Sequence, residues 1–122
     1  DPSVPNQVKV HEVVGEVRGR TCLLVDDMID TAGTIAQASE ALFENGASDV
    51  LVAATHAVLS GPAVDRLKNS RISEVIVTNT LPLPEEQLFP QLTVLSIAPM
   101  IARAIREVFD DGSVTSLFDG NA

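Results

Sequence analysis

Apolar positions along the chain follow two rhythms. Four short runs, at 21–25, 49–58, 74–78 and 93–97, are apolar and rich in β-branched residues. Continuous runs of this length predict strands buried on both faces of a parallel sheet. Between them the period changes to helical. After a polar loop at 26–33, Ile35, Ala38, Leu42 and Phe43 fall on one helical face, and Asn45-Gly46 supplies a C-terminal cap. Ser60-Gly61-Pro62 opens a short helix with Ala63, Val64 and Leu67 on its apolar side. Pro82, Pro84 and Pro90 mark 80–90 as a loop. Pro99 opens a last helix, whose Ile101, Ala104, Ile105, Val108 and Phe109 form a stripe and which Gly112 ends. Upstream, the valines at 8, 10, 13 and 17 among charged residues predict extended structure with a turn near Gly15 or Gly19. The tail 113–122 is polar, with Leu117 and Phe118 as apolar anchors. Strands alternating with helices predict one α/β domain over 1–122, a parallel sheet with flanking helices.

Composition narrows the function. The net charge is -9 and the pI about 4.4, against a nucleic-acid partner, which calls for a basic stripe, and against an anionic membrane surface. With no Trp, no Tyr and four Phe, stacking platforms for single strands are not expected. No apolar run approaches the roughly 18 residues of a membrane span, and the first twenty residues lack the apolar core of a signal peptide. The one cysteine, Cys22, allows no internal disulfide and lies in an apolar run as a small core residue, which fits a cytoplasmic protein. The first residue is Asp1, not Met, so a processed form or an excised piece is expected.

The chemistry concentrates in 23–34: an apolar strand, the pair Asp26-Asp27, then Asp30-Thr31-Ala32-Gly33-Thr34 at a helix start. Ligands of open α/β sheets bind outside the carboxyl ends of the strands, where this loop falls. Ala32 and Gly33 let backbone N–H groups approach an anion, Thr31 and Thr34 add hydroxyls, and the helix dipole adds a positive end. The same residues can equally form a plain N-cap through Thr31 or Asp30, and the acidic pair can be a solvated strand end. No Lys or Arg lies within 26–34. A carboxylate about 6 Å from a phosphate costs roughly 1–3 kcal/mol, while a helix N-terminus returns only about 0.3–2 kcal/mol. A phosphate here therefore needs direct N–H bonds, and the carboxylates need sugar hydroxyls or a Mg²⁺ as partners. A phosphorylated sugar meets both requirements.

The segment 25–34 resembles the ribose 5-phosphate loop of the ribose-phosphate pyrophosphokinase (phosphoribosyl pyrophosphate synthetase) family, a branch of the phosphoribosyltransferase-like proteins. Segments 54–63 (ATHAVLSGPA), 77–82 (VTNTLP) and 112–118 (GSVTSLF) resemble the same family, so the likeness runs along almost the whole chain. It implies a phosphoribosyltransferase-like (type I) fold and a transferase that moves the pyrophosphoryl group of ATP to the C1 hydroxyl of ribose 5-phosphate with Mg²⁺. It implies that Asp30, Thr31, Ala32, Gly33 and Thr34 hold the 5-phosphate, and that Asp26 with Asp27 holds the ribose hydroxyls. Ser113, Val114, Thr115 and Phe118 match a segment that binds regulatory phosphate or ADP, with Thr115 where serine is common.

The likeness is to the C-terminal domain alone. It implies that ATP is bound through an N-terminal domain outside these residues, that a catalytic Lys/Arg loop lies upstream of Asp1, and that the full enzyme is a homo-oligomer. None of the catalytic cations is expected here, and the isolated domain is expected to be inactive; its own metal ligands stay unassigned. Two alternatives remain: a non-catalytic regulatory paralogue, and a salvage phosphoribosyltransferase, which the scarcity of aromatics disfavours. His56, near the end of a strand, fits a hydrogen-bonded structural histidine better than a ligand contact, and His11 receives no role.

Overall fold

In the computed structural model, which describes residue 13 and residues 15–110, four strands pair in parallel: β1 (Thr21–Ile29), β2 (Asp49–Ala57), β3 (Glu74–Thr78) and β4 (Leu92–Leu95). Their order in the sheet is that of the chain. α1 (Gly33–Glu44) links β1 to β2, α2 (Ala63–Lys68) links β2 to β3, and α3 (Ala98–Phe109) follows β4. The chain is therefore α/β with a parallel sheet and flanking helices, as its two rhythms predict.

Consecutive right-handed crossovers that step the same way across a sheet place their helices on the same face. Side-chain alternation agrees. Val50, Val52, Ala54, Val75 and Val77 point to a core shared with Ile35 and Leu42 of α1 and Ala63 and Leu67 of α2. On the other face Leu23 and Val25 are 58% and 74% exposed, and Leu51, Ala53 and Ile76 are half-buried. Among the described residues one layer of helices covers one face of the sheet, where burial on both faces was expected. The stripe of α3 covers neither, since no α3 residue is buried and Ile101, Ile105, Val108 and Phe109 stand exposed. Among the described residues no helix is long and apolar enough to cross a membrane.

Three boundaries differ from expectation for local reasons. β1 continues through Asp26 and Asp27 to Ile29, because its ladder with β2 runs on through Asp26 opposite Ala54 and Ile29 opposite Ala57. At an edge strand that pairing is indifferent to side-chain polarity. β2 stops at Ala57, where the N–H groups of Val58 and Leu59 both turn to the Ile29 carbonyl (3.0 and 2.9 Å). β4 stops at Leu95, where side chains take over: Asn79 Oδ1 accepts the Ile97 N–H at 2.9 Å and Ser96 Oγ the Ala98 N–H at 3.1 Å.

The end of α1 follows the sequence closely. Ala47 N–H donates to the Leu42 carbonyl and Gly46 N–H to that of Phe43, both at 3.0 Å, the paired bonds of a Schellman motif. Gly46 takes the required left-handed φ of 96°. The turn expected at Gly19 is present, with Arg20 N–H on the Val17 carbonyl at 3.0 Å. Inside α1 the hydrophobic pattern missed Ser39, which is fully buried and donates its hydroxyl to the Ala36 carbonyl at 2.8 Å. Cys22 is half-buried and packs against the core. Gly112 and the tail 113–122 lie outside the described residues, as does most of the N-terminal extended segment.

Candidate functional site

β1 ends at Ile29 and α1 begins at Gly33, so three residues, Asp30, Thr31 and Ala32, turn the chain at the carboxyl edge of the sheet. They do so through Ala32, whose φ of 66° and ψ of 10° lie in the left-handed region. For an L residue with a Cβ this conformation costs about 1–2 kcal/mol. Gly33, which invites that assignment from sequence, is not the left-handed residue; its smallness serves a neighbour described below.

The helix start carries no side-chain cap and no acidic residue in its first turn. The first intrahelical bond runs from the Ala36 N–H to the Ala32 carbonyl at 2.9 Å. The N–H groups of the first turn precede that ladder and have no intrahelical acceptor. They lie at an open cavity of about 160 Å³ lined by Asp26, Met28 and residues 29–35. The plain N-cap reading is therefore not what forms. Asp30 turns instead to the β2–α2 loop: its Oδ1 accepts from the Ser60 hydroxyl, and its carbonyl accepts the Ser60 N–H at 2.9 Å.

The structure brings Asp26, Asp30, Thr31, Ala32, Gly33 and Thr34 to this one cavity. Asp26 is held by the Asp27 N–H, which donates to its Oδ1 at 2.8 Å. It also borders a second cavity of about 240 Å³ at the ends of β1, β2, β3 and β4, with Val25, Thr55, Ile76, Thr78 and Leu95. Asp27 lines neither cavity, since strand alternation sends it to the opposite face from Asp26. His56 lines neither as well. It is half-buried, and its Nδ1 shares a 2.8 Å hydrogen bond with Thr80 Oγ1, the structural arrangement its place in β2 suggests. Among the described residues no three His, Cys, Asp or Glu side chains gather to hold a metal ion. Ser113, Val114, Thr115 and Phe118 lie outside the described residues.

One residue at the site was invisible to sequence reasoning. Arg66 of α2 reaches back and donates from Nη1 to the Thr31 carbonyl at 3.1 Å. The same Nη1 sits 3.1 Å from where a Cβ on Gly33 would stand. The loop that has no cation in its own sequence therefore has one against it. The signal was topological: α2 packs beside α1 because both crossovers fall on one face.

A sequence profile of the family described as "Phosphoribosyl synthetase-associated domain" matches residues 2–119. A ribose-phosphate pyrophosphokinase of Streptomyces coelicolor is 69% identical over 98% of this chain and 37% of its own length. One of Bifidobacterium longum is 60% identical over 98% of this chain and 35% of its own. The crystal structure of phosphoribosylpyrophosphate synthetase from Mycobacterium smegmatis superposes with a TM-score of 0.81 at 59% identity, over 87% of this chain and 36% of that one. The chain thus spans a little over a third of the length of these relatives.

Proposed function

The chain belongs to the phosphoribosyl synthetase-associated domain family, and from that premise we propose that it is the ribose 5-phosphate-binding half of a ribose-phosphate pyrophosphokinase. The observation that carries this reading is the uncapped start of α1 opening on a cavity with Asp26 on its rim. The N–H groups of Ala32, Gly33 and Thr34, with the hydroxyls of Thr31 and Thr34, receive the 5-phosphate, and Asp30 shapes the turn. Asp26 accepts hydrogen bonds from the ribose hydroxyls, held for that task by the Asp27 N–H. In this way each negative group meets donors, and the phosphate and the carboxylates share one cavity without facing each other unpaired.

This domain lies C-terminal to an ATP-binding domain, which supplies the nucleotide and the catalytic Lys/Arg loop, in a cytoplasmic homo-oligomer. Mg²⁺ suits the donor set, because that ion needs only one or two carboxylates when substrate oxygens and waters complete its shell, and Asp26 offers one. The ion would neutralise charge developing on the transferred group. Residues 113–118 would bind regulatory phosphate or ADP. On this division the 122-residue chain alone makes no phosphoribosyl pyrophosphate, since it positions one substrate of two. Amide shifts during titration with ribose 5-phosphate test the site: changes led by Ala32, Gly33 and Thr34 support it, and changes confined elsewhere refute it.

A further inference from the structure

We infer that Arg66 is a positioning residue that orients the phosphate loop from behind; the inference rests on the ribose 5-phosphate reading of that loop. Arg66 does not line the cavity, yet its Nη1 donates to the Thr31 carbonyl. A trans peptide is planar, with its C=O and N–H pointing in opposite directions. Drawing the Thr31 carbonyl toward α2 therefore turns the Ala32 N–H the other way, toward the cavity side. That peptide leads into Ala32, whose left-handed conformation is unfavourable for an alanine. A conformation that costs energy persists only where its surroundings hold it.

The surroundings on this side belong to the segment from Ser60 to Arg66. Ser60 fixes Asp30 through both hydroxyl and backbone N–H, and Arg66 fixes the next peptide. Gly33 leaves room for the guanidinium, since a Cβ there would meet it at 3.1 Å. Among the described residues the ion pair is Arg71 with Glu40, and Arg66 enters none. Its charge offsets part of the acidity of a segment that carries Asp26 and Asp27 at the end of β1 and Asp30 in the loop. A guanidinium suits the position because it stays protonated and presents several donors in a fixed plane. Arg66 is exposed on α2, so replacing it removes the strap without opening the core.

The test compares the unsubstituted chain with Arg66→Met and Arg66→Lys. Affinities for inorganic phosphate and for ribose 5-phosphate are measured by calorimetry, and the amide order parameter of Ala32 is measured without ligand. Arg66→Met is expected to lose about three- to tenfold in affinity for both ligands, the worth of one hydrogen bond. The loss is equal because the strap acts on the phosphate that both share. The Ala32 amide falls toward the flexible range, below about 0.6, while melting falls by no more than a few degrees. Arg66→Lys keeps the charge and one donor to the same carbonyl and regains part of the affinity. Unchanged affinity in Arg66→Met, or a loss that Arg66→Lys leaves wholly unrecovered with a rigid Ala32, overturns the inference alone. Failure of the unsubstituted chain to bind either ligand overturns the site reading, and the inference with it.

Discussion

Replacing Asp26 by Asn should shift the affinities for two related ligands unequally. The side chain keeps its shape, and its Oδ1 can still accept the Asp27 N–H, at 2.8 Å in the native chain. What changes is the second oxygen, an anionic acceptor at the cavity rim that becomes a neutral donor. For ribose 5-phosphate the lost bond is charge-assisted, worth about 1.5–3 kcal/mol. Inorganic phosphate has no sugar to contact Asp26 and feels only its charge. At about 6 Å that repulsion is roughly 1–3 kcal/mol for effective dielectrics between 80 and 20, and the substitution relieves it. The same relief acts on the sugar phosphate and offsets part of its loss. Calorimetry at low ionic strength, where screening is least, should therefore show phosphate binding more tightly. Ribose 5-phosphate should gain less than phosphate or bind more weakly, so the ratio of the two affinities falls by tenfold or more. An unchanged ratio would mean that Asp26 acts on both ligands as a bare charge, and that its assignment to the ribose hydroxyls is wrong.

Gly46→Ala should destabilise the chain by about 1–2 kcal/mol, the cost of a left-handed conformation for a residue with a Cβ. The added methyl would also press on the Arg18 side chain at 3.1 and 3.3 Å, and thermal denaturation should record a fall of several degrees. Leu67→Ala, at a fully buried position under the sheet, should cost about 2–5 kcal/mol. Ile105→Ala in α3, at a position 64% exposed, should stay within about 0.5 kcal/mol. A urea titration of both variants checks the contrast, and equal losses would refute the finding that α3 stands apart from the core.

The strands were legible because an apolar run of four to nine residues has few other uses in a chain of this size. The end of α1 was legible because Asn45-Gly46 has a specific backbone role. The apolar runs could not say how many layers cover the sheet. A run records that side chains avoid water, not what shields them, so Leu23 and Val25 looked as buried as Val50 and Val52. The stripe of α3 misled in the same way. The extension of β1 through Asp26 and Asp27 was hidden because backbone pairing decided it. At the candidate site, the residues that line the cavity could be read as one contiguous segment. The separation of Asp27 from Asp26 became visible only with the strand geometry. The left-handed Ala32 was not legible, because an alanine does not signal that conformation. Arg66 was out of reach because its contact joins positions 35 residues apart, and only the crossover geometry brings them together.

A crystal structure of the chain grown with ribose 5-phosphate would show where the sugar phosphate sits. The expected result is a phosphate group seated at the start of α1, within hydrogen-bond distance of the N–H groups of Ala32, Gly33 and Thr34, with the ribose hydroxyls on the Asp26 carboxylate. A sugar phosphate bound elsewhere on the domain, with the start of α1 facing only water, would contradict it.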